Sequence, residues 1–136
     1  ATGLLLTASG VLEPLNVGFF AVRPDVRLLT AAKMFAENAS FDSKSGGWAG
    51  AGFRPHGAKF IGAECGQGFL WTLFYRWRNN KLARDVLSSA GIGTDTGVAA
   101  QIDRCVWHYQ TWGTCGVRWD FDCSLVRAHH KPAFDE

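Results

Sequence analysis

The sequence lacks any apolar run of the roughly 20 residues that a transmembrane helix needs. Its first apolar cluster, residues 4–6, is short and is not preceded by cationic residues, so it does not have the features of a secretory signal peptide. The sequence also begins at Ala1 rather than at a methionine. We therefore interpret these 136 residues as a piece of a longer protein, with any targeting signal upstream.

An excess of charge of one sign is also missing. The chain has 14 basic and 12 acidic residues, which leaves a net charge of +2. One small basic group stands near the end of a predicted helix, where cations are ordinary: Arg76, Arg78, Lys81 and Arg84. Nucleic-acid binding requires the neutralisation of many phosphates, so the composition argues against a nucleic-acid partner.

Cysteine is sparse, and the four residues contain no C-x2-C pair, which excludes the common structural zinc motifs. Cys105, Cys115 and Cys123 lie in the last third of the chain. One disulfide among these three is expected if the protein matures in an oxidising compartment, because it would constrain the irregular segment 110–122. The alternative is a set of buried or free thiols in a reducing compartment.

The residues that are present indicate a globular domain of mixed α/β class. Apolar residues make up 47% of the chain and charged residues 19%, and six Trp and ten Phe can supply a core. Hydrophobic periodicity and turn residues predict these elements: a buried strand at 15–22, helices at 26–38 (capped by Asp25), 66–78 and 81–90, loops at 43–58 and 91–100, and strands at 106–109 and 124–128.

Two polar residues at the starts of predicted elements are candidates for ligand contact. Asn16 lies in the first strand beside Gly18, and its carboxamide can both donate to and accept from a sugar hydroxyl. Gln67 stands between two glycines at a helix start, where a ligand can approach the backbone closely. The structural alternatives are a turn asparagine satisfied by the backbone and a simple turn before a core helix.

The C-terminal segment carries candidates of a different chemistry. His129 and His130 follow a predicted strand and precede Lys131; an imidazole suits a metal, and a lysine suits a diphosphate. Adjacent residues of a strand point to opposite faces, so one of the two histidines would enter a site. A surface histidine pair is the alternative. Asp120 and Asp122 form an Asp-x-Asp pattern, which we interpret as part of a cysteine-rich loop.

Taken in order, four segments resemble glycosyltransferase family 8, the glycogenin-like and galactinol-synthase-like transferases. Residues 15–24 are similar to the family's Asn-(Ala/Ser)-Gly strand followed by a helix-starting proline. Residues 66–70 are similar to its Asp-Gln-Gly helix start, and residues 107–109 to its Tyr-Asn-Tyr strand. Residues 129–132 are similar to its closing His and Lys-Pro.

The resemblance implies a GT-A fold that binds a UDP-sugar and Mn²⁺ and transfers the sugar with retention to a carbohydrate or protein acceptor. It implies that Asn16 and Gly18 contact the donor sugar and that Gln67 lines the catalytic pocket. It also implies that His129, or His130 in its place, ligates manganese and that Lys131 meets the diphosphate.

The sequence departs from the family in ways that shape these expectations. Residues 1–136 correspond to the C-terminal half of the catalytic domain, and the nucleotide-binding half with its Asp-x-Asp motif is not present. Gly66 replaces the family's carboxylate, and 133–134 replace its Trp. We therefore expect the chain not to catalyse transfer on its own and to pack against the missing half or another subunit. The expected location is the Golgi or secretory lumen, with the cytoplasm as the alternative.

Two further hypotheses remain open. A non-catalytic glycosyltransferase-like subunit or binding module would also carry these segments, without completing the metal motif. A small cysteine-stabilised interaction domain would carry them by accident, with Asn16, Gln67 and His129 on unrelated surfaces. The distinguishing observation is whether the four segments converge.

Overall fold

The computed structural model describes residues 5–8, 14–44, 46–53, 59–93 and 98–102. These residues form a mixed α/β structure, as the sequence predicted. The strands are β1 (Leu5–Ala8), β2 (Asn16–Val22), β3 (Phe41–Asp42), β4 (Gly47–Trp48) and β5 (Ala99–Ile102). The helices are α1 (Val26–Asn38), α2 (Gly66–Tyr75) and α3 (Lys81–Ser89), with a 3₁₀ turn at Trp77–Asn79 between the last two. The strands predicted at 106–109 and 124–128, and Cys105, Cys115 and Cys123, lie outside the described residues.

The main sheet has the order β2-β1-β5. β1 runs antiparallel to β2 and parallel to β5. The β1–β2 register is regular from the Leu5–Val22 pair to the Thr7–Phe20 pair and then jumps, so that Ala8 faces Asn16. Residues 17–19 therefore have no partner in β1 and form a bulge, which changes the direction of the backbone at the start of β2.

The hydrophobic core lies between this sheet and the helices. α1 presents Leu28, Ala31 and Phe35 at helical spacing, and Phe35 is fully buried. Phe35 packs edge to face against Phe69 of α2, with ring centroids 5.2 Å apart. The same core includes residues of β1, α2, the 3₁₀ turn and α3: Leu5, Leu73, Phe74, Trp77, Ala83, Val86 and Leu87.

A hydroxyl network fixes α2 against the sheet. The Tyr75 hydroxyl donates to the Ala100 carbonyl at 3.0 Å and lies 2.6 Å from the hydroxyl of Thr7, which is fully buried. Because the Tyr75 hydroxyl donates its one proton to the Ala100 carbonyl, the Thr7 hydroxyl is the donor in its bond to the Tyr75 oxygen. Burial raises the pKa of Tyr75, and the bond from Thr7 opposes part of that rise. This network joins β1, β5 and α2, three elements that are distant in sequence.

The structure confirms several predicted elements and corrects others. α1 has the predicted bounds, α3 ends one residue early, and α2 ends at Tyr75, where a 3₁₀ turn follows. β1 and β5 were not predicted, and the segment predicted as a loop at 43–58 contains β4. The first strand is not buried as predicted: Phe20 is 53% exposed because β2 lies at the edge of the described sheet.

Within the described ranges, no helix is both long enough and apolar enough to cross a bilayer.

The N-terminus of α1 provides a prediction about pH. Asp25 caps the helix by accepting from the Arg27 backbone N–H, and its carboxylate pairs with the Arg27 guanidinium at 2.6 Å. The side-chain bonds from Arg27, with its backbone N–H and charge, lower the pKa of Asp25 from 3.8 to about 2. A lowered folded-state pKa means that the carboxylate stabilises the fold fully above pH 3.8 and that this contribution is lost as pH falls through about 2.

We therefore expect an NMR titration of the Asp25 carboxyl carbon to show a midpoint near 2. Arg27→Gln should move the midpoint toward 3.8, because the guanidinium supplies the largest cause of the shift. Lys33→Gln removes a cation from an exposed position later on α1 and serves as the control. A midpoint that Arg27→Gln leaves unchanged would contradict the assignment of the cap.

Candidate functional site

Two of the four segments singled out in the sequence meet in the structure. The Val17 backbone N–H, in the bulge of β2, donates to Oε1 of Gln67 in the first turn of α2 at 3.2 Å. These residues are 50 positions apart in the chain. The bond places Asn16 and Gly18, the immediate neighbours of Val17, beside the start of α2. The Asn16-x-Gly18 strand and the Gly66-Gln67-Gly68 helix start therefore form one local structure.

Gln67 links backbone segments on both sides of itself. Its side chain is buried, with 8% of the residue exposed, and Nε2 donates to the Ile61 carbonyl at 2.7 Å. The carboxamide thus accepts from β2 and donates to the turn before α2, much as a peptide group does within a sheet. Leaving either backbone group unsatisfied would cost free energy, so Gln67 stabilises the local fold. The structural alternative for Gln67 was a simple turn before a core helix, and its bond to Ile61 is made to the segment that leads into α2.

The glycines around Gln67 explain why the turn can lie so close to the helix. The Gly68 N–H donates to the Gly62 carbonyl at 3.1 Å, and a Cβ on Gly68 would lie 1.8 Å from the Ala63 carbonyl oxygen. Gly62 has φ = +73°, and a Cβ there would lie 2.5 Å from Gln67 Nε2. The group that lies close to Gly68 is therefore the backbone of Ala63 in the same chain, rather than a ligand.

Asn16 organises the start of the bulge. Its Oδ1 accepts from the Gly18 backbone N–H at 2.7 Å, which closes a small side-chain turn around Val17. The residue is half-buried. Its position next to the Val17–Gln67 bond means that a change in the Asn16 side chain acts directly on the bulge.

Five residues of these segments are exposed and uncharged. We define the bulge patch as Val17, Gly18, Ile61, Cys65 and Gly66, all of which are exposed. Val17 is 37% and Ile61 60% exposed, and the atom nearest to a Cβ on Gly66 would be Val17 Cγ1 at 3.9 Å. The patch therefore combines apolar side chains with glycine backbone, a surface against which the apolar face of a sugar ring can pack.

The charges nearest to the bulge patch in sequence are paired with each other. Lys59 Nζ forms an ion pair with the Glu64 carboxylate, and it also lies 5.7 Å from the Phe41 ring centroid. The first turn of α2 has no acidic residue, and its N-cap, Cys65, makes no side-chain capping bond. The positive end of the α2 dipole is thus not neutralised by its own first turn.

The remaining candidates lie outside the described residues. These are the predicted metal ligand His129, its alternative His130, the diphosphate-binding Lys131, and the strand segment 107–109. Their convergence with Asn16 and Gln67 stays a prediction. In the part of the chain that the structure does describe, no three His, Cys, Asp or Glu residues are grouped so that they could hold a metal ion, and Cys65 is a free, exposed thiol.

The contribution of the turn before α2 was not predicted from the sequence. Ile61 supplies both an exposed apolar side chain and the carbonyl that holds Gln67, and Gly62 supplies the required positive φ. Gly62, shortly before a predicted helix start, is the signal in the sequence that could have indicated a turn here.

Comparison with protein-family models, with curated proteins and with solved structures found no match to this chain. The observed strands and helices define the fold class, which is mixed α/β. The site is defined by its own geometry: a bulged strand, at the edge of the described sheet, joined to a glycine-flanked helix start.

Proposed function

We propose that this chain is part of a retaining glycosyltransferase that transfers a sugar from a UDP-sugar to a carbohydrate or protein acceptor. The observation that carries the proposal is the hydrogen bond between Val17 and Gln67. It joins the first two family-8-like segments in space, as a shared donor pocket requires. The order of the four segments along the sequence is the second support.

In this proposal the donor sugar lies on the bulge patch. Val17 and Ile61 contact the apolar face of the ring, and the two exposed glycines, Gly18 and Gly66, leave room for it. Asn16 directs its carboxamide toward a sugar hydroxyl. Gln67 acts as a positioning residue, because its bond to Val17 sets the shape of the bulge that receives the sugar. Precise placement of the donor sugar supplies a large part of the rate enhancement that such enzymes achieve.

In the part of the chain that the structure describes, no group of residues could form a manganese site. Mn²⁺ prefers oxygen ligands, and one imidazole, from His129, cannot hold it. The oxygen ligands would come from the Asp-x-Asp motif of a nucleotide-binding half, which in our proposal packs against this chain as part of the same protein or as another subunit. Lys131 would contact the diphosphate. We place the intact enzyme in the Golgi or secretory lumen, with the cytoplasm as the alternative.

Asn16→Asp is the substitution that tests the donor site. Aspartate keeps the acceptor for the Gly18 N–H and so preserves the turn, but it removes the N–H donor and adds a negative charge beside an anionic ligand. We expect the Kd for a UDP-sugar to rise about tenfold or more, which corresponds to about 1.4 kcal/mol. The measurement is isothermal titration calorimetry with UDP-glucose and UDP-galactose in the presence of Mn²⁺, on this chain joined to its nucleotide-binding half.

Asn79→Asp is the matched control, because Asn79 is exposed on the 3₁₀ turn beyond the opposite end of α2. It should bind the donor as the wild type does. Equal weakening by both variants, or wild-type protein that folds but does not bind any UDP-sugar, would count against the donor site.

A non-catalytic transferase-like subunit or binding module is the second candidate function. Two observations favour it: both ends of the Gln67 carboxamide already bind backbone, and exposed Gly66 stands where the family has a carboxylate. Mn²⁺-dependent hydrolysis of the UDP-sugar by the joined protein separates the two candidates. Donor binding with turnover supports the enzyme, whereas donor binding without turnover supports the binding module.

A further inference from the structure

We draw no further inference here: the strongest candidate, the two buried side-chain donors in the C-terminal half of α2 and at its C-cap, Trp71 Nε1 and Arg76 Nε, which lack a hydrogen-bond partner, carries nothing because no contact among the described residues brings the two donors to a common cavity or identifies the group that would accept from them.

Discussion

Gly68→Ala is expected to destabilise the fold by about 4 kcal/mol or more, which approaches the entire stability of a typical small domain. The added Cβ would lie 1.8 Å from the Ala63 carbonyl oxygen and 2.6 Å from its carbonyl carbon. Both are backbone atoms, so no side-chain rotation can relieve the overlap. The turn before α2 would have to move, and the bond from the Gly68 N–H to the Gly62 carbonyl would be lost with it.

Gly66→Ala is the control for this prediction, because it makes the same substitution two residues earlier. A Cβ on Gly66 would meet only ordinary van der Waals contact, 3.9 Å from Val17 Cγ1. Alanine also lowers the conformational entropy of the unfolded chain, so Gly66→Ala should be neutral or stabilise by up to about 1 kcal/mol. Urea denaturation followed by circular dichroism measures both variants. Equal stability of the two would show that the turn does not pack against Gly68 as described.

Gln67→Leu is expected to cost about 3 kcal/mol, the second largest effect. Leucine fills a similar volume but offers no polar atoms, so the Val17 N–H and the Ile61 carbonyl both lose their partner. Each unsatisfied, partly buried backbone group costs about 1–3 kcal/mol. The bulge of β2 should also loosen, because the bond to Gln67 holds it against α2. Urea denaturation measures the loss of stability, and hydrogen exchange at the Val17 amide measures the local effect.

Gln101→Leu is the matched control for Gln67→Leu. Gln101 is exposed on β5 and its Nε2 donates to the Pro14 carbonyl. Because this variant removes one part-buried bond where Gln67→Leu removes two, the cost should be about 1 kcal/mol. If Gln67→Leu costs no more than Gln101→Leu, the carboxamide does not join β2 to α2. In that event the geometric support for a shared donor pocket disappears as well.

Local patterns were sufficient to predict the longer elements. Residues 26–38 carry apolar side chains at helical spacing after an Asp that caps the first turn, and α1 has those bounds. The apolar run 15–22 became β2, and residues 81–90 became α3 with one residue fewer. The position of β2 at the edge of the described sheet could not be predicted, because a run of apolar residues is equally typical of a central strand.

The shorter strands depend on partners that are distant in sequence. β1 and β5 have four residues each, and no local pattern distinguishes them from loop. They form strands because they pair with each other in parallel, from the Leu5–Ala99 pair to the Ala8–Ile102 pair. The buried Thr7–Tyr75 contact then secures them beneath α2. The residues of β1 do not indicate that β5 is its partner, and those of β5 do not indicate β1.

In the candidate site, too, some features could be predicted from the sequence and others depend on the tertiary structure. The resemblance of two sequence segments to a family pattern singled out Asn16, Gln67 and the flanking glycines, although neither segment is specific by itself. It did not reveal that Gln67 would be held by backbone on two sides, or that Gly68 would touch the turn at Ala63. Helix periodicity and capping act over a few residues and can be read directly from the chain. Edge position, strand pairing and the use of each carboxamide are set by contacts across tens of residues, which exist once the sheet and helices have packed.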